Sequence, residues 1–455
     1  MSNFLYYLAA FALVLGSLII VHEFGHFIVA RWAGVKVLRF SVGFGRALWS
    51  RKFGRDATEW AIGIFPLGGY VKMLDEREGD VAPDELHRSF NRQPVLWRMA
   101  IVVAGPLANF LLAILLYWGV FWHGTEELRP VLGAPVAASA AAAAGIENGE
   151  RVLKVAGEPV ETWQDMRWAL LRRAVGQDSI DLEVINARNE IAIHRLDVSS
   201  ARESGWEGDA LEKMGIGFYR PQIRPVLDKI SPDSAAASAD LRPGDEVLAI
   251  GDKRISTWSD VVQTVRQSPE KPLDFDILRD GQHVMARVTP IAVEERGRQI
   301  GRIGASVADS GQSRIDLMTT VRYGPIAALG KAVWETWDKS AFSLVMIGKM
   351  ITGEVSWRNI SGPVTIADYA GQSARLGLDY YLKFLALVSI SLGVLNLLPI
   401  PILDGGHLLY YVVEIIKRGP LSERTMEIGQ QIGLALLLML MAFAFYNDIN
   451  RLISG

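Results

Sequence analysis

Apolar and polar positions along this chain fall into long blocks. Phe4 to about Val29 is almost wholly apolar, and no charged residue comes before His22. A block that long exceeds the ~20 residues needed to cross a bilayer, so it predicts a first spanning helix. Its length, and the lack of a basic residue ahead of it, do not fit a cleaved signal peptide. From Arg31 to Arg98 the chain is mixed and basic. Within it, residues 41–45 and 60–71 predict β segments punctuated by turns. The second is apolar enough to leave two readings: a strand dipping into the membrane under cover of protein, or an ordinary hairpin lying over the helices. Trp97 to Trp122 is a second span, with Trp97, Trp118 and Trp122 placed as interfacial anchors.

Residues 125 to about 310 are polar and contain an internal repeat. Pro130-Val131-Leu132 matches Pro225-Val226-Leu227. Gly149-Glu150-Arg151-Val152-Leu153 matches Gly244-Asp245-Glu246-Val247-Leu248. Thr162-Trp163-Gln164-Asp165 matches Thr257-Trp258-Ser259-Asp260. All three share one offset of 95 residues without a gap, which predicts two tandem domains of one fold. Each copy has an Ala-rich stretch, a Gly-Asp/Glu turn, a short strand, then Thr-Trp before a helix. That order resembles PDZ domains, which take an extended peptide or a chain end beside a sheet edge. A pair of spacers that bind nothing fits the same pattern.

Beyond the repeat, Ala341 to Ile351 is apolar but short and holds Lys349, which predicts an interfacial helix. Ser361-Gly362-Pro363 separates it from a second helical piece. Tyr380 to Ile416 is a third, interrupted apolar segment, and about Glu427 to Tyr446 a fourth.

Composition sharpens this picture. Half of the 455 residues are apolar although 21% are charged, the mixture of membrane segments joined to a soluble part. A net charge of −3 gives no reason to expect nucleic acid as a partner. There is no cysteine, so disulfides and thiolate metal sites are excluded and a zinc site must use His and carboxylate.

The candidate chemistry lies at the end of the first span, in His22-Glu23-Phe24-Gly25-His26. Residues four apart share a helix face, so His22 and His26 can reach one metal ion. Glu23 is not one of that pair and is placed to take a proton from a water at the ion. A catalytic zinc takes three protein ligands, and Asp404 is the candidate for the third. It follows Asn396-Leu397-Leu398-Pro399-Ile400-Pro401, where two prolines must break the helix and free carbonyls. Broken membrane helices persist only against protein or a polar cavity, and an ionisable residue there is functional by default. The alternative is an aspartate that caps the following helix. His407 is read as a helix-start or packing residue rather than a ligand.

Basic residues cluster after the first span (Arg31, Lys36, Arg39, Arg51, Lys52) and between the last two (Lys417, Arg418, Arg424). The positive-inside rule makes both loops cytoplasmic, so the termini and the repeats lie outside. His22 then lies roughly 18 residues, about 27 Å, into an inward-running helix. Asp404 lies roughly 22 residues into another, which predicts one common depth toward the cytoplasmic face.

The His-Glu-x-x-His and Asn-x-x-Pro-x-Pro-x-x-Asp-Gly motifs, with four spans and two outer repeats, resemble the site-2 protease family of intramembrane zinc proteases. The likeness covers essentially the whole chain. It implies a polytopic α-helical membrane protein with four transmembrane helices, a membrane-associated β-hairpin region and two tandem PDZ (α+β) domains. The implied division is residues 1–30, 31–96, 97–123, 124–221 and 222–310 (the two PDZ domains, periplasmic), an amphipathic region 311–379, then 380–416 and 427–447. It implies Zn2+ held by His22, His26 and Asp404, with Glu23 as catalytic base. Asn396, Pro399 and Pro401 would help hold the substrate, and Ile62, Gly68, Gly69 and Tyr70 would belong to a β-loop that does the same. The implied setting is a bacterial inner membrane, with lipid around the spans. The implied partners are single-span membrane proteins: an anti-sigma factor trimmed by a first protease, and signal-peptide remnants. Peptide chain ends are candidate ligands of the PDZ domains. Two other classes compete with this one. A PDZ scaffold with a vestigial metal site leaves the complete ligand set unexplained. A metal transporter leaves Glu23 without a role.

Overall fold

The computed structural model describes residues 2–454 apart from 187, 200–209, 220–222, 296–297, 308–316 and 420. At 2–4, 65–67, 295, 298, 423 and 452–454 it describes the backbone alone. Four helices among the described residues are long and apolar enough to cross a membrane: Leu5–Trp32, Val95–His123, Leu378–Leu397 and Arg424–Arg451. The second and third are the whole of α2 (Val95–His123) and α7 (Leu378–Leu397), while the first and last lie within the slightly longer α1 (Ser2–Trp32) and α9 (Glu423–Ser454).

Helices α1, α2 and α7 form the central bundle. Small residues allow the close crossing of α1 and α2, since a Cβ on Gly25 would lie 2.8 Å from Ala108 Cβ and closer still to the Ala104 carbonyl. Val14 and Leu18 of α1 pack with Tyr381 and Leu385 of α7. Ala113 and Tyr117 of α2 pack with Ala386, Ile390 and Val394 on another face of α7.

The two β segments extend further than the sequence pattern marks them. β1 (Val37–Phe53) and β2 (Thr58–Met73) form one long hairpin that folds back on itself. Phe40 lies opposite both Trp60 and Val71, and Val42 opposite both Ile62 and Gly69, so the first half of β1 is flanked by both halves of β2. Phe40 and Trp60 pack on Phe27 of α1, at ring separations of 5.8 and 5.2 Å, and fix the hairpin beside the motif helix. Phe44, Leu48, Trp49, Ile62 and Ile64 remain exposed along it.

The repeats have matching architecture. One four-stranded sheet runs β4-β3-β5-β6, from β3 (Arg151–Val155), β4 (Glu158–Pro159), β5 (Ser179–Ile185) and β6 (Ile191–Asp197). The other runs β8-β7-β9-β10, from β7 (Glu246–Ile250), β8 (Lys253–Arg254), β9 (Leu273–Arg279) and β10 (Gln282–Val288). Their helices, α3 (Trp163–Ala174) and α4 (Trp258–Arg266), begin at matched N-caps. Thr162 accepts from the Asp165 amide, and Thr257 from that of Asp260. Each repeat has its own core, separate from the other.

The region after the repeats departs from the sequence reading. Ala341 to Ile351 is only the last part of α5 (Pro325–Thr352), a helix of 28 residues. Charged residues such as Lys331, Glu335, Asp338 and Lys339 break its apolar run, which is why hydropathy marked only its end. Phe342, Met346 and Met350 of α5, with Val355 beyond it, complete the core of the first repeat. Arg172 of α3 donates to Asp338 at 2.6 Å, and Trp168 Nε1 to the same carboxylate at 2.5 Å. At its other end α5 packs Ala332 against Ala113 and Tyr117 of α2. The second helical piece is α6 (Pro363–Leu376), and Asp448 of α9 accepts from the Gly362, Val364 and Thr365 amides at its start.

Candidate metal centre

Helix α7 stops at Leu397, as Pro399 and Pro401 require. The chain turns through residues 398–403 and restarts as α8 (Asp404–Lys417). Ile402 has φ +94°, a strained value for a β-branched residue. The turn is held from outside by α9, where Gly429 and Gly433 let the helix approach closely. A Cβ on Gly433 would clash with the Pro401 carbonyl, and one on Gly429 with the Tyr410 hydroxyl. From α2, Arg98 makes a two-pronged pair with Glu414 of α8, at 2.6 and 3.1 Å. Asp404 is thereby delivered to the face of α1 that carries His22 and His26.

The arrival is close. Asp404 Oδ2 lies 3.2 Å from His22 Nε2, and Oδ1 3.6 Å from His26 Nε2. The two Nε2 atoms are 3.2 Å apart. Both histidines are buried, and Asp404 makes no capping bond at the start of α8, which removes its alternative reading as a cap. These three are the one His/carboxylate group of metal-binding geometry among the described residues. His407 stands outside it, edge-on to Tyr410.

The donor set suits a divalent ion such as zinc. Nitrogen and oxygen atoms bound about 2.0–2.2 Å from one tetrahedral ion lie roughly 3.3–3.5 Å apart, close to the three separations found. His26 Nδ1 faces the Ile101 carbonyl at 2.8 Å and can only donate to it, so its Nε2 presents a lone pair. Asp404 Oδ2 is buried and makes no hydrogen bond. Lone pairs turned toward one another in a buried site call for a cation.

Glu23 lies beside the ligand pair, under the second half of β2. The Val71 amide points at its carboxyl, and a Cβ on Gly69 would lie 3.0 Å from its Cγ. Asn396, at the end of α7, places Nδ2 3.4 Å from His22 Nε2. Of the expected substrate positions, Gly69 and Asn396 are thus at the centre. Gly68 and Tyr70 meet the Phe44 ring instead, and Ile62 lies out along the hairpin, half exposed. Pro399 and Pro401 shape the turn that leads to Asp404.

One face of α2 was not picked out from the sequence. Ile101, Gly105 and Asn109, at steps of four, lie against the two imidazoles. Gly105 leaves room for both rings, and Asn109 Nδ2 is 3.2 Å from His22 Nδ1. The available signal was a polar Asn within an otherwise apolar span.

Comparison with known proteins agrees with this geometry. A family model described as peptidase family M50 matches residues 10–440. The protease RseP of Yersinia pestis is 43% identical over 454 residues, covering 99% of this chain and 100% of that one. The regulator of sigma-E protease RseP of Escherichia coli strain K12 is 42% identical over 457 residues, with the same coverage. A Ralstonia nicotianae protein named as a zinc metalloprotease is 41% identical over 461 residues, covering 97% of this chain and 98% of that one.

Proposed function

The chain belongs to peptidase family M50, the site-2 proteases, and is a zinc metalloprotease; from that premise we propose that it is an endopeptidase that cuts single-span membrane proteins within the bilayer. The observation that carries this reading is the convergence of His22 and His26 from one apolar helix with Asp404 from just beyond the break that ends another, with Glu23 beside them. In this reading the three side chains hold Zn2+ and Glu23 is the catalytic base. The ion, when bound, supplies Lewis-acid activation of a peptide carbonyl and of water. Glu23 holds the proton released by the attacking water and passes it to the leaving amine, while the Val71 amide keeps its carboxyl in place.

A helical substrate hides its backbone in its own hydrogen bonds, so it must unwind before it is cut. The half of β2 that holds Gly68, Gly69 and Tyr70 lies beside Glu23 and is suited to pair with an extended substrate; Ile62 supplies apolar surface on the same hairpin. Asn396 both donates and accepts and suits a freed peptide group, on a turn shaped by Pro399 and Pro401. The substrates proposed are an anti-sigma factor already trimmed by a first protease, which would activate an envelope stress response, and signal-peptide remnants. Two relatives named as the protease RseP, one of them as a regulator of sigma-E, support that choice. The setting proposed is a bacterial inner membrane, with both termini and the two repeats, read as PDZ domains, on the periplasmic side.

Glu23→Gln tests the chemistry. The purified variant should keep its zinc and lose cleavage of a single-span model substrate, because the ligands remain while the base is gone. Normal turnover would remove Glu23 from the mechanism.

A further inference from the structure

Asn109 is completely buried, and it is the α2 side chain that reaches His22 from behind. Its main-chain carbonyl accepts from Ser389 of α7 at 2.8 Å, which seats this turn of α2 in the bundle. Its side-chain Oδ1 is buried and has no partner. With the amide so oriented, Nδ2 can only donate, so His22 Nδ1 would have to accept. The His22 proton would then sit on Nε2, the nitrogen turned toward Asp404 and His26, where it would block metal binding.

Amide oxygen and nitrogen are nearly equivalent in shape, so the two orientations differ only in the hydrogen bonds they make. One amide atom lacks a partner either way, so packing does not choose between them. The chemistry of His22 does. With the amide turned over, the carbonyl accepts Nδ1–H and Nε2 is left bare.

We infer that Asn109 is a positioning residue for the metal, its side-chain carbonyl accepting the Nδ1 proton of His22 and fixing the tautomer whose Nε2 faces the ion. The Ile101 carbonyl does the same for His26, about two turns back along the same face of α2. Helix α2 thus sets both imidazoles through two oxygens eight residues apart, with Gly105 between them clearing the space for the rings. The inference rests on the zinc site proposed above and adds the outer groups that orient it.

The test is zinc affinity, measured by chelator competition on the purified full-length protein. Asn109→Leu and Asn109→Ala should bind zinc about 10–100-fold more weakly, the usual effect of losing such a partner. Asn109→Asp should stay within a few-fold of the parent, because a carboxylate oxygen accepts the same proton. A purely packing role predicts the reverse order, with Leu tolerated and Asp harmful. Unchanged affinity in Asn109→Leu, or equal loss in Asn109→Asp and Asn109→Ala, overturns the inference. His22→Ala in the same assay separates the two levels. Unchanged affinity there would overturn the metal centre itself, whereas loss there beside a silent Asn109→Leu overturns only the role of Asn109.

Discussion

Gly105→Ala puts the smallest possible side chain between the two imidazoles. The added Cβ would lie 2.6 Å from His26 Cε1 and 2.8 Å from His22 Cε1, and closer still to His26 Nε2. Carbon atoms rest about 3.5–4.0 Å apart, so something must move by about 1 Å. The α2 backbone is held by the Arg98–Glu414 pair and by packing on α1 and α7, so the rings are the softer party. Overpacking of this kind costs about 1–3 kcal/mol. Metal–ligand distances tolerate only about 0.2 Å, so most of that cost falls on the zinc-bound state, where the rings cannot swing aside. Converted at 1.4 kcal/mol per decade, zinc should bind roughly 5–150-fold more weakly. Chelator competition on the purified protein measures this directly, and cleavage at limiting zinc should fall in parallel. Gly119→Ala is the control, since nothing lies within 4 Å of a Cβ at that position on the same helix. If Gly105→Ala binds zinc as tightly as the parent while Gly119→Ala does too, α2 does not shape the site as described.

Asp404→Asn should lower zinc affinity by more than tenfold, because a neutral amide is a poorer ligand than a carboxylate; full zinc content with full activity would exclude Asp404 as the third ligand. Removing residues 126–310 should allow substrates with intact outer domains to be cut, if the repeats exclude by bulk. Should the shortened enzyme still spare untrimmed substrates, the exclusion idea fails; if it loses trimmed ones as well, recruitment by the repeats is the better account.

The centre was legible where its signal is local. The four-residue spacing of His22 and His26 is a property of any helix, and two prolines before Asp404 break a helix in any context. The repeats were legible because a 95-residue offset needs no structure to be seen. The face of α2 was not legible, because Gly105 and Asn109 gain meaning only from which helix lies across them. A glycine and an asparagine in an apolar span do not name their neighbour. The length of α5 was hidden by its charges, several of which turn out to be partnered: Asp338 by Arg172, and Lys339 by Glu335 at 2.6 Å. The fold-back of the hairpin was hidden for another reason, since alternation marks strands but does not show that Phe40 faces two partners at once.

The first repeat borrows part of its core from α5 and grips it again through Arg172 and Asp338. The same helix seats Ala332 on α2, and Trp118 of α2 donates to the Pro325 carbonyl at 2.9 Å. The first repeat is therefore braced against the helical bundle rather than hung from it. Helix α5 joins the repeat to the His123 half of α2, and the Val95 half of the same helix lays Ile101, Gly105 and Asn109 against the two imidazoles. A tilt of the repeat has α5, one continuous helix packed at both ends, as its path to the site.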